Sequence, residues 1–439
     1  MEEKPRVKRF DRIGNTSDIP YTRTVADFKS QRWITNRFYR LMGPGTFSWQ
    51  TPDASVNVSV VRGHNYFDIK DTGARITCLE EAPKESIRTA KRLEKLAKRE
   101  EEAGHLETAC DYYYRSIPFY HTAAWGILDS DNEELVWLTE QIRDNFDKVI
   151  KYSKYPMERV EIPFEGKSIP GIFSLTPTKE KAPTILFIPG MDTNKENGLN
   201  HINNPFVIRG MNCLAIDGPG QGESLVRKIW VDDETYVRAG KAVIDYLVKR
   251  PEVDPNKVGI HGLSMGTYWG PLIAAQDARV KALSTHASCQ YNKDHIFNET
   301  SPNYRLRFMW MAGNLSDEEF DKMAAEMTLE GKESLIRCPH IIFHGEFDHL
   351  TGIEEMHQYF DHLGSEIKEL RIYENQFHGV HKFADEIANM SADWLKDRLN
   401  GVPPKQKRRI VLVDSNRDER PVNEEKLVRG FSFFHLGES

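Results

Sequence analysis

Hydrophobic positions recur at helical spacing between residues 84 and 152. Apolar side chains three and four residues apart predict one helix before Gly104, a second helix over Thr108–Ala124 and a third over Glu133–Tyr152. The first two stripes are Ala90, Leu93, Leu96 and Ala97, then Ala109, Tyr113, Ile117 and Tyr120. The helix pair around Gly104 has the pattern of one helical-repeat hairpin, and a single copy cannot form a solenoid. We expect its tyrosines to lie in the core.

The pattern changes at Met157, where short apolar runs replace the helical stripes. Arg159–Phe164 and Ile169–Leu175 flank the turn 165–167 and predict a β-hairpin. Apolar strands then alternate with helical segments, at 184–188, 211–216, 258–261, 280–285, 340–343 and 369–373. This alternation predicts an α/β fold: a mostly parallel sheet with helices on both faces and the hairpin at one edge.

A G-x-S-x-G pentapeptide, Gly262 to Gly266, joins the strand 258–261 to a helical segment. A sharp turn in this position lifts a serine oxygen above the sheet, and its glycines avoid collisions with the neighbouring strand and helix. Ser264 is therefore our candidate nucleophile. Such a pentapeptide also occurs by chance in surface turns, so the decision depends on an acid and a histidine after later strands.

Both partners follow in the required order. Asp348 comes shortly after the strand 340–343, with Glu346 as the alternative acid. His378 comes in the loop after the strand 369–373, and the alternative, His381, is predicted in the first turn of the last helix. We prefer Asp348, because it lies deeper in its loop, and His378, because the glycine after it leaves the loop free to reach the serine.

Two backbone N–H groups are candidates to stabilise an oxyanion at Ser264. One belongs to Met265, directly after the nucleophile. The other belongs to Met191, in the loop 189–192 that follows the strand 184–188. Together with the serine, the imidazole and the carboxylate, these groups are what acyl transfer requires.

Composition excludes several other functions. The 439 residues are 39% hydrophobic and 28% charged, with a net charge of -7 and no long basic run, so a nucleic-acid partner is disfavoured. We expect no membrane span, since no apolar stretch approaches about 18 residues. We also expect no signal peptide, since the N-terminus is charged and has no apolar core region. Five scattered cysteines favour reduced thiols in the cytoplasm, and no motif predicts a metal site.

Three segments complete the predicted organisation: an N-terminal arm and helical cap over 1–155, a catalytic domain over 156–400 and a solvated tail over 401–439. The arm holds the aromatic residues Phe28, Trp33, Phe38, Tyr39, Phe47 and Trp49, and the tail a basic cluster at 405–409. The segment 287–335 predicts a helical lid. The glycine-rich stretch 217–224 predicts a tight turn before a helix, because its G-x-G-x-G spacing and Pro219 do not suit a dinucleotide.

Taken together, these motifs resemble the α/β-hydrolases, and within them the carbon–carbon hydrolases that include 2,6-dihydroxypseudooxynicotine hydrolase and the fungal yellowish-green polyketide-shortening hydrolases. The matching pieces are 190–196, 217–222, 262–266, 344–348, His378 and His381. The resemblance implies an α/β-hydrolase fold, cleavage of a 1,3-dicarbonyl carbon–carbon bond through an acyl-enzyme, no cofactor and a homodimer. The alternative is an ester, thioester or lactone hydrolase or an acyltransferase with the same triad. A non-enzymatic binding protein would be expected to lack a triad member.

The substrate is expected to be a largely apolar aromatic or polyketide-like carbonyl compound. Thr267 and the bulky pair Tyr268-Trp269 depart from the small residues usual after the pentapeptide, and they affect the expected pocket shape. The candidates for substrate binding are two polar residues, Asp192 and Glu299, and the aromatic pair Tyr268 and Trp269. We expect a lid because carbon protonation, unlike simple ester hydrolysis, requires water to be excluded.

Overall fold

The computed structural model describes residues 60–422 except 77, 79, 80, 179, 292 and 301. The six aromatic residues predicted to pack the N-terminal arm lie outside the described residues, as does the chain from 423 onward.

A helical layer precedes the sheet. Its helices are α1 (Tyr66–Gly73), α2 (Ala82–Glu102), α3 (Leu106–Ala124) and α4 (Glu133–Tyr152). Gly104, at φ +80°, separates α2 from α3, and the Asn132 side chain caps α4 by accepting from the N–H groups of Glu134 and Leu135. The predicted tyrosines are buried, and Tyr113 and Tyr152 both donate to the carboxylate of Glu101. The three helices after residue 80 therefore follow the predicted stripes closely.

Ten strands form one sheet. They are β1 (Met157–Phe164), β2 (Lys167–Ser174), β3 (Ala182–Ile188), β4 (Asn212–Ile216), β5 (Val253–Leu263), β6 (Val280–His286), β7 (His340–Gly345), β8 (Lys368–Tyr373), β9 (Arg408–Val413) and β10 (Glu419–Pro421). The order across the sheet is β1-β2-β4-β3-β5-β6-β7-β8-β9-β10. The strands β3 to β9 run parallel to one another, whereas β1 and β2 at one edge and β10 at the other are antiparallel to their neighbours. The predicted α/β class and edge hairpin are confirmed.

Helices cover both faces of this sheet. They are α5 (Gly222–Val226), α6 (Thr235–Leu247), α7 (Gly266–Gln276), α10 (Ile353–His362) and α11 (Ala384–Leu399). Leu186 and Ile188 of β3 point into the core shared with α6, α7 and the helical layer. Ile185 and Phe187 point to the opposite face, against α11. This alternation follows from the two-residue period of a strand.

Residues 401–422, the described part of the C-terminal segment, differ from the solvated tail expected for 401–439. Arg408 to Val413 forms β9 and pairs in parallel with β8, from Lys368 to Tyr373. Val411 and Val413 are fully buried among Ile341, Phe343 and Phe383. The basic residues at 405–409 hid this strand, because its apolar run, 410–413, is only four residues long and begins directly after them.

The lid segment lies between β6 and β7 and holds α8 (Pro302–Met311) and α9 (Asp317–Glu326). Arg305 of α8 is fully buried and binds Asp321 of α9 at 2.7 Å, which ties the two helices together. Two contacts join the lid to the helical layer: Arg307 donates to the carbonyl of Trp125, and Trp310 Nε1 donates to Ser130 Oγ at 3.1 Å. No helix within the described ranges combines the length and apolar character that crossing a bilayer requires.

Candidate active site

The turn between β5 and α7 has the geometry of a strained elbow. Ser264 adopts φ +52°, a left-handed conformation that is costly for a residue with a side chain. A Cβ on Gly262 would lie 2.2 Å from the carbonyl oxygen of Gly266, and one on Gly266 would lie 2.2 Å from that of Ile188. The Ser264 N–H donates to His286 O at 2.9 Å. Glycine is therefore required at both positions, as the pentapeptide predicted.

A chain of hydrogen bonds runs from this serine. Ser264 Oγ lies 3.0 Å from His378 Nε2, and His378 Nδ1 lies 3.1 and 3.0 Å from the two carboxylate oxygens of Asp348. Burial alone would raise the pKa of Asp348, but the facing His378 ring and its hydrogen bond outweigh this effect and lower the pKa. The carboxylate is thus held ionised against the imidazole.

The two alternatives considered for acid and base point elsewhere. Glu346 accepts from the N–H of Asn375 at 2.8 Å, at the surface of the β8 loop. His381 begins the turn before α11, and burial lowers the pKa of its ring to about 4. The structure thus brings Asp348 and His378, and neither Glu346 nor His381, into line with Ser264.

Other histidines that sequence reasoning did not single out support this line. His286, at the end of β6, is buried, which lowers its pKa to about 3, and it donates through Nε2 to Gly379 O at 2.7 Å. This bond fixes the loop that carries His378. His344 lies 4.0 Å from Asp348, and its Nδ1 lies 3.0 Å from Ser288 Oγ. In the sequence, only their positions at the ends of β6 and β7 could have indicated that these two histidines lie near the site.

The oxyanion loop lies directly against the nucleophile. A methyl group placed on Gly190 would lie 3.0 Å from Ser264 Cβ and 3.6 Å from Ser264 Oγ. Met191 follows it, and Met265 follows the serine at the start of α7. Within the described part of the chain, the N–H groups of Met191 and Met265 donate to no protein atom. Two unpaired N–H groups therefore remain next to Ser264.

A buried ion cluster lies behind this loop. Lys195 Nζ is fully enclosed and binds the carboxylates of Glu196, Asp217 and Glu223 at 2.8, 2.8 and 2.9 Å. Asp217 also accepts from the Lys195 backbone N–H at 2.7 Å. The stretch 217–224 therefore joins the oxyanion loop to α5, in the tight turn before a helix that the sequence predicted.

The four weaker substrate-binding candidates have different surroundings. Trp269 and Tyr268 are each 1% exposed, and neither lines the two cavities described below, so their contact with substrate stays a prediction. Trp269 stacks on Tyr236 with ring centres 4.1 Å apart, and Tyr268 lies under Lys293, whose Nζ is 4.0 Å from the ring centre. Glu299 is exposed and pairs with His295 at 2.9 Å. Asp192 is the last residue of the oxyanion loop and lines the cavity beside it.

Thr267 links the elbow to the base of the lid. Its hydroxyl accepts from the N–H of Cys289 at 2.8 Å and lies 3.4 Å from Ala287 O. A few residues on, burial lowers the pKa of Lys293 to about 7, and its Nζ donates to the carbonyls of Gln290 and Tyr291. The side chain that departed from the expected small residue therefore anchors the lid rather than shaping an open pocket.

Two cavities flank the line of hydrogen bonds. One, of about 60 Å³, lies where the helical layer, the lid and the oxyanion loop meet, and its walls include Met191, Asp192, His121, Arg307 and Trp310. The other, of about 340 Å³, lies beyond the His378 loop and reaches His286, Gly379, His381 and α11. Among the described residues, no three histidine, cysteine or acidic side chains are grouped to hold a metal ion.

Comparison with known proteins agrees with this architecture. The crystal structure of the 2,6-dihydroxy-pseudo-oxynicotine hydrolase superposes with a TM-score of 0.71 at 22% identity, covering 80% of this chain and 98% of that chain. The AbyA5 wild-type structure superposes with a TM-score of 0.58 at 16% identity, covering 79% and 99%. The protein has the α/β-hydrolase fold. The prolyl oligopeptidase family pattern matches residues 200–402 of this α/β-hydrolase chain, a range that includes Ser264, Asp348 and His378.

Sequence relatives confirm the resemblance drawn from the motifs. The chain is 24% identical over 246 residues to the 2,6-dihydropseudooxynicotine hydrolase of Paenarthrobacter nicotinovorans, a match that covers 56% of this chain and 65% of that protein. It is 32% identical over 203 residues to the α/β-hydrolase gkaG of Penicillium citrinum, covering 44% and 47%. The esterase FrsA of Photobacterium profundum is 25% identical over 176 residues, covering 40% and 41%. The chain thus spans between two fifths and two thirds of these relatives.

Proposed function

We propose that this protein is a serine hydrolase that cleaves the carbon–carbon bond between the carbonyls of a 1,3-dicarbonyl substrate. The observation that carries the proposal is the hydrogen-bonded line Ser264–His378–Asp348 beside two unpaired backbone N–H groups. The named hydrolase relatives support it, because they include the 2,6-dihydropseudooxynicotine hydrolase.

The steps follow from the geometry. His378 takes the proton of Ser264 Oγ as the oxygen attacks one carbonyl, and the N–H groups of Met191 and Met265 hold the oxyanion. The carbon–carbon bond then breaks, its electron pair remains on the leaving carbon as an enolate, and His378 returns the proton to that carbon. Water activated by His378 then releases the acyl group from Ser264.

A closed site favours carbon–carbon cleavage over plain ester hydrolysis. The lid is fixed to the helical layer through Arg307 and Trp310, and the lid helices are bound to each other through Arg305. Such closure keeps water away while the enolate is protonated. We propose a largely apolar aromatic or polyketide-like substrate, with Asp192 as a polar contact near the reacting carbonyl.

Ester hydrolysis with the same residues is the second candidate, favoured by the similarity to the esterase FrsA. We also propose a homodimer that works in the cytoplasm, a compartment that suits five cysteines scattered along the chain. Light scattering coupled to gel filtration tests the homodimer, since a mass near 50.7 kDa contradicts it and twice that mass supports it.

The deciding experiment uses one aryl compound that carries both a 1,3-diketone and an ester, with products identified by mass spectrometry. Cleavage at the diketone supports the proposal, and cleavage at the ester alone contradicts it in favour of the second candidate. Ser264→Ala is expected to lower turnover by at least about 10³-fold with an unchanged unfolding temperature. Turnover close to wild type in this variant would refute the role of Ser264.

A further inference from the structure

We infer that Gln221 is a positioning residue that sets the direction of the Met191 N–H, the proposed oxyanion donor. The inference deepens the proposed serine hydrolase function and rests on it. It concerns a side chain in the turn 217–224, far from Ser264 in sequence, and assigns that glycine-rich turn a part in the chemistry.

The Gln221 side chain is 1% exposed, and all of its hydrogen-bonding capacity is used. Its Nε2 donates to Gly190 O at 2.7 Å and to Pro189 O at 3.1 Å. Its Oε1 accepts from Tyr236 Oη at 2.6 Å and from the N–H of Gly218 at 3.2 Å. Since carbonyls can only accept, these partners also fix which end of the amide is the nitrogen.

Because the peptide group is planar, the hydrogen bond from Gln221 to Gly190 O also determines the direction of the Met191 N–H. The bond between Gly190 and Met191 is trans, so its C=O and N–H point to opposite sides of one plane. The C=O points at Gln221. The N–H of Met191 therefore points away from Gln221, and Gly190 itself lies against Ser264, as the 3.0 Å approach of an added methyl group shows. Gln221 holds one side of the peptide so that the other side can face the oxyanion.

The surroundings keep the amide from turning. A Cβ on Gly218 would lie 2.3 Å from Tyr236 Oη, so glycine is needed for the tyrosine to reach Gln221. The Tyr236 ring is held by its stacking on Trp269, 4.1 Å away. This gives Trp269 an indirect link to the site despite its burial. Preorganised donors of this kind act without reorganising during the reaction.

Gln221→Glu is the sharpest test, because it is nearly isosteric and still accepts from Tyr236 but presents an oxygen to the two carbonyls. With p-nitrophenyl butyrate, we expect kcat to fall about 100-fold and KM to change less than about threefold. The affinity for 1,1,1-trifluoro-4-phenylbutan-2-one, which forms an oxyanion on the serine, should weaken by a similar factor. The affinity for 4-phenylbutan-2-one, which stays a ketone, should be unchanged. A merely structural role would not separate the two ketones.

Tyr236→Phe is a milder variant, which leaves Gln221 in place and removes one of its hydrogen-bond partners. We expect it to lower both kcat and the affinity for the trifluoroketone about tenfold. Gln358→Glu on the exposed face of α10 is the matched control and should behave as wild type. Labelling with a fluorophosphonate gives the fraction of active serine in each sample, and kcat is corrected for it. If Gln221→Glu does not fold, Tyr236→Phe decides.

Two outcomes separate failure of the inference from failure of the function. Hydrolysis that requires Ser264, combined with wild-type trifluoroketone affinity in Gln221→Glu or in a folded Tyr236→Phe, overturns the role of Gln221 alone. Hydrolysis that survives Ser264→Ala overturns the proposed function, and with it the need for an oxyanion donor at Met191.

Discussion

Asp348 and Glu346 lie two positions apart in one loop, and their surroundings differ in every respect that matters for catalysis. Asp348 is buried and accepts from the His378 ring and from the Leu350 N–H at 2.9 Å. Glu346 accepts from a backbone N–H near the surface. Burial and a facing imidazole convert one carboxylate into an orienting group, whereas the other stabilises a turn.

At this scale we expect Asp348→Asn to lower kcat by about 10⁴-fold, because an amide can hold the His378 ring in the wrong tautomer and cannot stabilise its charged form. Since the pKa of Asp348 is lowered, its carboxylate stays ionised as the pH falls. Glu346→Gln is the matched control, with kcat within about twofold of wild type. Steady-state kinetics on both variants decide, and equal losses would contradict the assignment.

At the scale of elements, the strand β9 extends the sheet and completes the core beneath α11. Val411 is 1% exposed and packs with Ile341, Phe343 and Phe383. The strand also brings Arg409 to Glu369 at 3.0 Å, so the basic residues that suggested a tail partly serve in cross-strand pairs. The β8 strand, which precedes the His378 loop, is thereby protected from becoming a sheet edge.

We expect Val411→Ala to lower the free energy of unfolding by about 1–3 kcal/mol, because it removes buried methyl groups and leaves a cavity. Val402→Ala, at a position 46% exposed, should change it by less than about 0.5 kcal/mol. Urea denaturation followed by circular dichroism measures both. If both substitutions lower the free energy of unfolding by the same small amount, the proposed contribution of β9 to the core is contradicted.

At the scale of the whole molecule, buried histidines dominate the response to acid. Among the described residues, burial lowers the pKa of eight rings to about 3 or 4: to about 3 for His64, His286 and His340, and to about 4 for His121, His201, His261, His344 and His381. In the unfolded chain such rings titrate near about 6.5. Between these values the unfolded state binds protons that the folded state does not.

Stability should therefore be highest above about pH 6.5 and fall steeply as the pH drops toward 4, since each such ring contributes a slope of about 1.4 kcal/mol per pH unit. The unfolding temperature measured by differential scanning fluorimetry from pH 8 to pH 4.5 tests this. His340→Gln, which removes one of the eight rings, should make the slope shallower by about one proton. An unfolding temperature that stays constant from pH 7 to pH 5 would contradict the prediction.

The sequence by itself determined the order of the strands and helices and the order of the serine, the acid and the histidine along the chain. Strand and helix periodicities, the glycines at 262 and 266, and an acid and a histidine after later strands are local features, and each can be found within about a dozen residues. They predicted the fold, the elbow, the preferred Asp348 and His378, and the loop that holds Met191.

The tertiary structure decided which of several local candidates meet. Glu346 and His381 have plausible sequence positions, yet Glu346 accepts from the N–H of Asn375 and His381 lies in the turn before α11. Trp269 has the side chain of a pocket residue, yet it is buried and stacks on Tyr236 of α6. Gln221 gave no sign of its contact with the oxyanion loop, 31 residues earlier in the chain. Such contacts join segments that chain spacing does not relate, because they depend on how the sheet brings the ends of its parallel strands together.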